Sequence, residues 1–544
     1  MKRWLAVFLA AMMVIVTFAA CGNQESTEGE TVKKTEAAKD TAEKEMSESD
    51  SVKVTEPEAQ TWDEDEVAEI KWTFWGLNMA PNEEDLQEVE AAINAITVPK
   101  IGVSVDMEVT DVGTYMTQTA MKITSGETID LFTTFVLGSA SYGTLMTNNQ
   151  LTDITDLLVE YAPETMAMLP EQVAHAGTKD GRIYSLPLYT NYVTKNVWVC
   201  QKEVFDGIGL KAEEIKTLDD IHEALIKIKE AYPDRIPLGG NGFVYPGGQM
   251  AEITTGQNFQ AIGYAAGLRY GSEGVSSEVV SRFETENFKA LTEILKAWNN
   301  EGLVDKDMAM NASNMWYYNP KIVSSFESQS SLEMQSLETS AGMDYEFVEL
   351  SENYVTNTPM LMLTSAVPVT AKEPAAAIRF LNLLYTDAEI KNLASFGIEG
   401  KHWEKKADGR IGFPEGVDET TSGYYLGSER LFGNVFLNYV WDTMDADTIE
   451  KEKTDMDHAK YAPFGSFNMN TDSVSNEVAQ ISAVYDEYFN TLMGGNGSET
   501  TYDEFITKLH ASGLDVFMAE AQKQLDAWLA QDGNQEAVDQ WAAD

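Results

Sequence analysis

From Ala68 onward two hydrophobic periods take turns along the chain, and that alternation constrains the fold more than any other feature. "AEIKWTFWG" carries Ile70, Trp72 and Phe74 at every second position, the period of a strand. "NEEDLQEVEAAINAIT" then spaces Leu86, Val89, Ile93 and Ile96 as one helical stripe behind Asn82, a residue suited to an N-cap. "IGVSVDMEVT" returns to strand, "ETIDLFTTFVLG" supplies a third, and "GRIYSLPLYTNYVTKNVWVC" reads as a long extended stretch. After Cys200, "TLDDIHEALIKIKEAY" shows a capping box from Thr217 to Asp220 and a stripe at Leu218, Ile221, Leu225 and Ile228. "ENFKALTEILKAWNNEGL" repeats it with Phe288, Leu291, Leu295 and Trp298. "MLMLTSAVPVT" predicts a strand, and "EPAAAIRFLNLLYTDAEIKNLASFG" a helical pair parted near Thr386-Asp387. The last third ends in the helices "TYDEFITKLH" and "LDVFMAEAQKQLDAWLA". Strands alternating with helices predict an α/β class with more than one lobe.

The start of the chain is of another kind. Lys2-Arg3 precede "WLAVFLAAMMVIVTFAA", a basic start and an apolar run ending in small residues, which is the layout of a secretory signal rather than a spanning helix. The run ends at one of only two cysteines, and Phe18-Ala19-Ala20-Cys21 resembles a bacterial lipobox, with Phe18 where leucine is usual. Residues 1–20 are expected to be removed, leaving Cys21 as a lipidated N-terminus; two or more acyl chains give stable membrane attachment. Residues 21–66 are rich in Glu, Ser, Thr, Lys and Ala, with Trp62 the only aromatic. Such a segment buries too little apolar surface to offset its ordering entropy, so it is expected to be a disordered acidic tether reaching about 35–40 Å.

Composition then excludes several classes. Against 38 Lys and Arg stand 88 Asp and Glu, a net charge of −50, which repels nucleic acid and anionic head groups. With Cys21 acylated only Cys200 remains, so neither an intramolecular disulfide nor a cysteine-type metal site is expected, and Cys200 within "NVWVC" reads as a small core residue. His175, His222, His402, His458 and His510 make no paired metal-ligand spacing, and no nucleophile elbow or phosphate loop occurs. No cofactor, metal or catalytic residue is expected.

What stands out is aromatic side chains where strands should end: Trp75 near Asn78, Tyr189 near Tyr192, Trp316-Tyr317-Tyr318, and Trp403 beside Glu399 and His402. In open α/β sheets ligands bind beyond the carboxyl ends of strands. Rings that stack on apolar C–H faces, with amides and carboxylates to meet hydroxyls, suit a neutral saccharide. Core packing is an equally ordinary role for any one of these rings.

The segments "GRIYSLPLY", "PAAAIRFLNLLYTDAEIKNLASFGIEGKHWE", "LFGNVFL", "YAPFGSFNMNTDSVSNEVAQI" and "YDEFITKLHASGLDVFMAEAQKQLDAWLA" resemble the Gram-positive extracellular solute-binding lipoproteins of ABC transporters, sugar-binding type. The likeness is strongest to the LplA-like subgroup, which carries a C-terminal domain of unknown function. The resemblance implies a two-lobed, periplasmic-binding-protein-like (class II) fold with a hinge and an interlobe cleft. Mapped here, lobe one would be 67–190 plus 355–410, and lobe two 195–350 plus 411–544. "IVSSFESQS" resembles the family's cleft-facing strand and adds Phe326, Glu327 and Ser328 to the expected ligand residues Trp75, Asn78, Tyr189, Tyr192, Trp316, Glu399 and Trp403. The resemblance implies a monomer, lipid-anchored on the extracellular face, that binds an oligosaccharide and delivers it to permease subunits. A secreted glycan-degrading enzyme and a ligand-sensing surface lipoprotein remain as alternatives.

Overall fold

The computed structural model describes residues 66–543 apart from 78–79, 136–137, 240–256, 264, 272–273, 308–315, 352–353, 429, 466 and 532. Cys21, the tether up to residue 65 and Asn78 lie outside the described residues.

The first lobe opens with β1 (Ala68–Gly76), α1 (Glu83–Ile101), β2 (Val103–Asp111) and β3 (Leu131–Thr133), and reaches β4 (Ser185–Pro187). Helix α1 starts where the Asn82 side chain accepts from Asp85 N at 2.9 Å and stops at Gly102, whose φ of 62° is the left-handed conformation glycine adopts without strain. The chain then crosses into β5 (Lys195–Gln201), α2 (Leu218–Ala231), β6 (Ile236–Leu238), the antiparallel β7 (Gln257–Ile262), β8 (Ala266–Gly271) and β9 (Val279–Ser281), and α3 (Glu286–Asn300). It continues through β10 (Ile322–Gln329), α4 (Ser331–Ala341) and β11 (Tyr345–Ser351), and returns through β12 (Tyr354–Val355) to β13 (Thr364–Ala366), α5 (Pro374–Thr386) and α6 (Ala388–Phe396). A later helix, α7 (Thr448–Asp457), leads into β14 (Lys460–Tyr461), and α8 (Ser475–Met493), α9 (Thr501–Ala511), α10 (Leu514–Leu529) and α11 (Asn534–Ala543) close the chain.

The first sheet has the order β2-β1-β3-β13-β4. β1 pairs in parallel with β2 and β3, whereas β13, arriving from more than 170 residues downstream of β4, inserts antiparallel between β3 and β4. The second sheet runs β11-β5-β10-β6, with β5 antiparallel to both neighbours. Each sheet has its own core: Trp72, Phe74, Val89, Ile93, Phe380 and Leu384 in one, and Trp198, Ile221, Leu225, Leu295, Trp298 and Phe326 in the other.

The helical stripes expected at α2 and α3 are the buried faces, and the Thr217–Asp220 capping box closes in both directions. Three expectations change in detail. The long extended stretch over 181–200 breaks at 188–194 into a crossover between two sheets. The strand expected in "MLMLTSAVPVT" is confined to Thr364–Ala366, because it pairs only with the short β3 and β4. And the span 411–544 divides: Tyr424, Leu426, Leu431, Phe432 and Met456 pack into the first core, while Phe464 onward builds the second. Cys200 is buried in the second core, and that burial pushes its thiol pKa up, away from reactivity.

Candidate ligand site at the lobe junction

Two crossover segments lie side by side. β12 and β14 pair in parallel, Tyr354 with Lys460 and Val355 with Tyr461, and Ala462 N donates to Val355 O at 2.9 Å. Asn357, just past β12, leads back into the first core through Met360; Phe464 and Phe467, just past β14, enter the second. Where the chain parts, a cavity of about 200 Å³ opens, lined by Asn357, by Gln260 to Gly263 around the end of β7, and by Phe467 to Met469 with Thr471.

Two buried amides give this cavity its chemistry. Gln260, 5% exposed, spends its Nε2 donor on Phe464 O at 3.0 Å; Asn357, 3% exposed, turns its Nδ2 donor to Ala176 O at 3.4 Å. The remaining oxygens, Gln260 Oε1 and Asn357 Oδ1, have no hydrogen-bond partner. A buried acceptor left unpaired costs about 1–3 kcal/mol; both oxygens are covered from solvent, although the residues that carry them line the cavity. None of the described residues lining the cavity is charged. Two residues 97 positions apart on different elements leave no periodic trace, so sequence patterning gave no signal for this pair.

The residues expected from sequence fall into separate places. Trp75 is 0% exposed, edge-on to Phe135 at 5.4 Å within the first core, and its Nε1 has no partner. Trp403 packs with Phe396 and Ile411 in a small cluster and donates Nε1 to Gly397 O at 3.0 Å, while Glu399 is exposed on the preceding turn. Tyr189 is buried edge-on to Phe436, and the Tyr192 hydroxyl donates to Leu188 O at 2.7 Å, both within the first crossover region. Phe326 is buried in the second core. Trp316 and Glu327 do come together, the indole donating to Glu327 Oε1 at 2.7 Å; Ser325 Oγ donates to the same oxygen at 2.9 Å, and burial pushes this carboxyl up to about 7. The Ser328 hydroxyl donates to Thr194 Oγ1 of the crossover at 2.9 Å. No hydrogen bond or ring contact among the described residues joins Trp75 or Trp403 to Trp316 or Glu327, and none of the expected residues that are described lines the cavity.

The "GIEGKH" run has its own structural account. A Cβ at Gly397 would lie 2.3 Å from His402 Nδ1, so glycine is required there. That Nδ1 accepts from Ile398 N at 2.9 Å, which leaves the proton on Nε2, bonded to Asp85 Oδ1 at 3.0 Å. Against its desolvation, bonds from Lys401, His402 and Asn82 hold the Asp85 carboxyl at about 2. The motif staples a turn of the first lobe onto the start of α1.

Comparison with known proteins gives this geometry a family. The family described as bacterial extracellular solute-binding protein matches residues 80–391, across both sheets. The chain belongs to that family. A second match, a domain of unknown function (DUF3502), covers residues 463–530, the helices α8 to α10 with the segment before them. Among curated proteins, a carbohydrate ABC transporter substrate-binding protein of Streptococcus pneumoniae is 23% identical over 456 residues, 82% of this chain and 89% of that one. Among solved structures, the N-glycan transport solute binding protein NgtS of Streptococcus pneumoniae is 22% identical with a TM-score of 0.69, covering 85% of this chain and 99% of that one. NgtS in complex with Man1GlcNAc is 21% identical with a TM-score of 0.60, covering 85% and 100%. The fold is that of two-lobed solute-binding proteins, as the resemblance implied. Among the described residues no helix is long and apolar enough to cross a membrane, and no group of three or more His, Cys, Asp or Glu could hold a metal ion.

Proposed function

We propose that this protein is the solute receptor of an ABC importer, anchored through a lipidated Cys21, and that it binds an uncharged oligosaccharide at the lobe junction and passes it to membrane permease subunits without chemical turnover. The observation that carries the reading is the cavity between the two cores, whose described lining residues are all uncharged and include the amides Gln260, Asn357 and Asn468. Side-chain amides both donate to and accept from sugar hydroxyls. The relatives support the same class: one is a carbohydrate ABC transporter substrate-binding protein, and NgtS forms a complex with Man1GlcNAc.

Thermal unfolding measured across a panel of neutral mono- and oligosaccharides, Man1GlcNAc among them, tests this. A ligand at 100 times its Kd should stabilise the protein by about 2.7 kcal/mol. Asn357→Ala and Gln260→Ala should each weaken that ligand about tenfold, the worth of one hydrogen bond to a buried acceptor. A panel that stabilises nothing, or a ligand indifferent to both substitutions, would remove the cavity from the account. New reducing ends released from a bound glycan would turn the receptor into an enzyme.

The anchor is tested separately. In a bacterium fed an alkyne-tagged fatty acid, the full chain should take up label and sediment with membranes, and Cys21→Ala should do neither. Equal labelling of the variant would overturn the assignment.

A further inference from the structure

The crossovers are not the only connection between the lobes. Helix α7 is fastened to the first core by Met456, whereas α4 follows β10 and packs on the second sheet. The two helices meet through two carboxylates and, at 3.4 Å, through Thr448 Oγ1 donating to Gln335 Oε1. Glu452, 1% exposed, accepts Leu332 N at 3.0 Å through Oε1 and Arg430 Nη2 at 2.7 Å through Oε2. One turn on, Asp455 Oδ2 accepts from Ser331 Oγ at 2.8 Å. Arg430 reaches on to Thr190 Oγ1, in the first crossover, at 3.1 Å.

The start of α4 explains why this contact can form. The first N–H groups of a helix have no partner within it and carry the positive end of its dipole. Ser330 caps Glu333 N, and the Glu333 carboxylate returns to Ser330 N, which leaves Leu332 N to be met from outside. It is met by a carboxylate of the other lobe. One buried side chain thus joins the second lobe's α4, the first lobe's Arg430 and, through Arg430, the crossover. A rotation of the lobes that leaves Met456 in the first core, about an axis that does not pass through this contact, lengthens Leu332 N to Glu452 and Ser331 Oγ to Asp455.

We propose that Glu452 and Asp455 form an interlobe latch that holds the lobe arrangement seen here, making them positioning residues for solute binding that act through lobe geometry rather than by touching solute. A latch that favours one of two arrangements changes apparent affinity through the population of the binding-competent one. The inference does not depend on which solute is bound.

It is tested without any solute. Spin labels at Val159→Cys and Lys227→Cys, exposed sites on the first and second lobes, report the interlobe distance in the full chain carrying Cys21→Ala; buried Cys200 stays unlabelled. Against the labelled parent, Glu452→Gln, which keeps size but loses the charge shared with Arg430, should shift the ratio of distance populations about tenfold. Ser331→Ala, which touches only the Asp455 contact and leaves the Ser330 cap, should shift it about threefold in the same direction. If Glu452→Gln does not fold, Ser331→Ala decides alone. Distance distributions identical to the parent's in every variant that folds, whether or not melting falls, would show that the carboxylates serve structure only and overturn the latch.

Discussion

Trp75→Ala is expected to lower folding stability by about 3–5 kcal/mol while leaving solute affinity within a few-fold of the parent. The ring is wholly covered, sits edge-on to Phe135 and closes β1 inside the first core, so its loss leaves a large void bounded by strands that cannot collapse into it. Its indole N–H is buried without a partner, and Trp75→Phe, which removes that group and keeps most of the ring volume, should cost much less than alanine. Denaturant unfolding of both variants beside a binding titration separates two roles. A Trp75→Ala protein that unfolds with the parent yet loses solute would make the ring a cleft platform after all. The same comparison at Trp403, whose cluster is smaller, should give a smaller loss of stability.

Glu327 carries the second large effect, and it depends on pH. Burial pushes this carboxyl up to about 7, against an ordinary value of 4.5, because the bonds from Trp316 and Ser325 do not replace the water it gives up. An acid whose folded pKa lies above its unfolded one binds its proton more tightly when folded. Its favourable contribution is therefore complete below about 4.5 and is lost as pH rises through about 7. Between pH 5 and pH 8 the parent should lose about 2 kcal/mol that Glu327→Gln does not lose, so the variant should be relatively more stable at pH 8. Denaturant midpoints at the two pH values check this. Parallel profiles for parent and variant would mean that the carboxyl ionises freely beside Trp316.

The local elements were readable because their causes are local. The stripes Leu218, Ile221, Leu225, Ile228 and Phe288, Leu291, Leu295, Trp298 need only helical geometry to share a face, and the Thr217–Asp220 box needs only three residues of chain. The family was readable for a different reason, because long runs such as "PAAAIRFLNLLYTDAEIKNLASFG" resemble it as whole stretches rather than through any one contact. Burial at a strand end was not readable. Trp75 and Trp403 have the composition of a sugar platform and the same composition as core, and only the neighbours that fold over them distinguish the two.

By itself, then, the sequence determined an acidic α/β chain with a signal-like start, a lone cysteine after it, and helices and strands whose inward faces were already marked. The tertiary structure alone decided that β13 inserts between β3 and β4, that Gln260 and Asn357 face one cavity, and that Glu452 meets Leu332 across 120 residues. The physical reason is common to all three. Periodicity records which side of an element is apolar, a property of a few consecutive residues, whereas a polar site is made by single side chains from distant elements, whose meeting is set by how two hydrophobic cores pack and by how the crossovers join them.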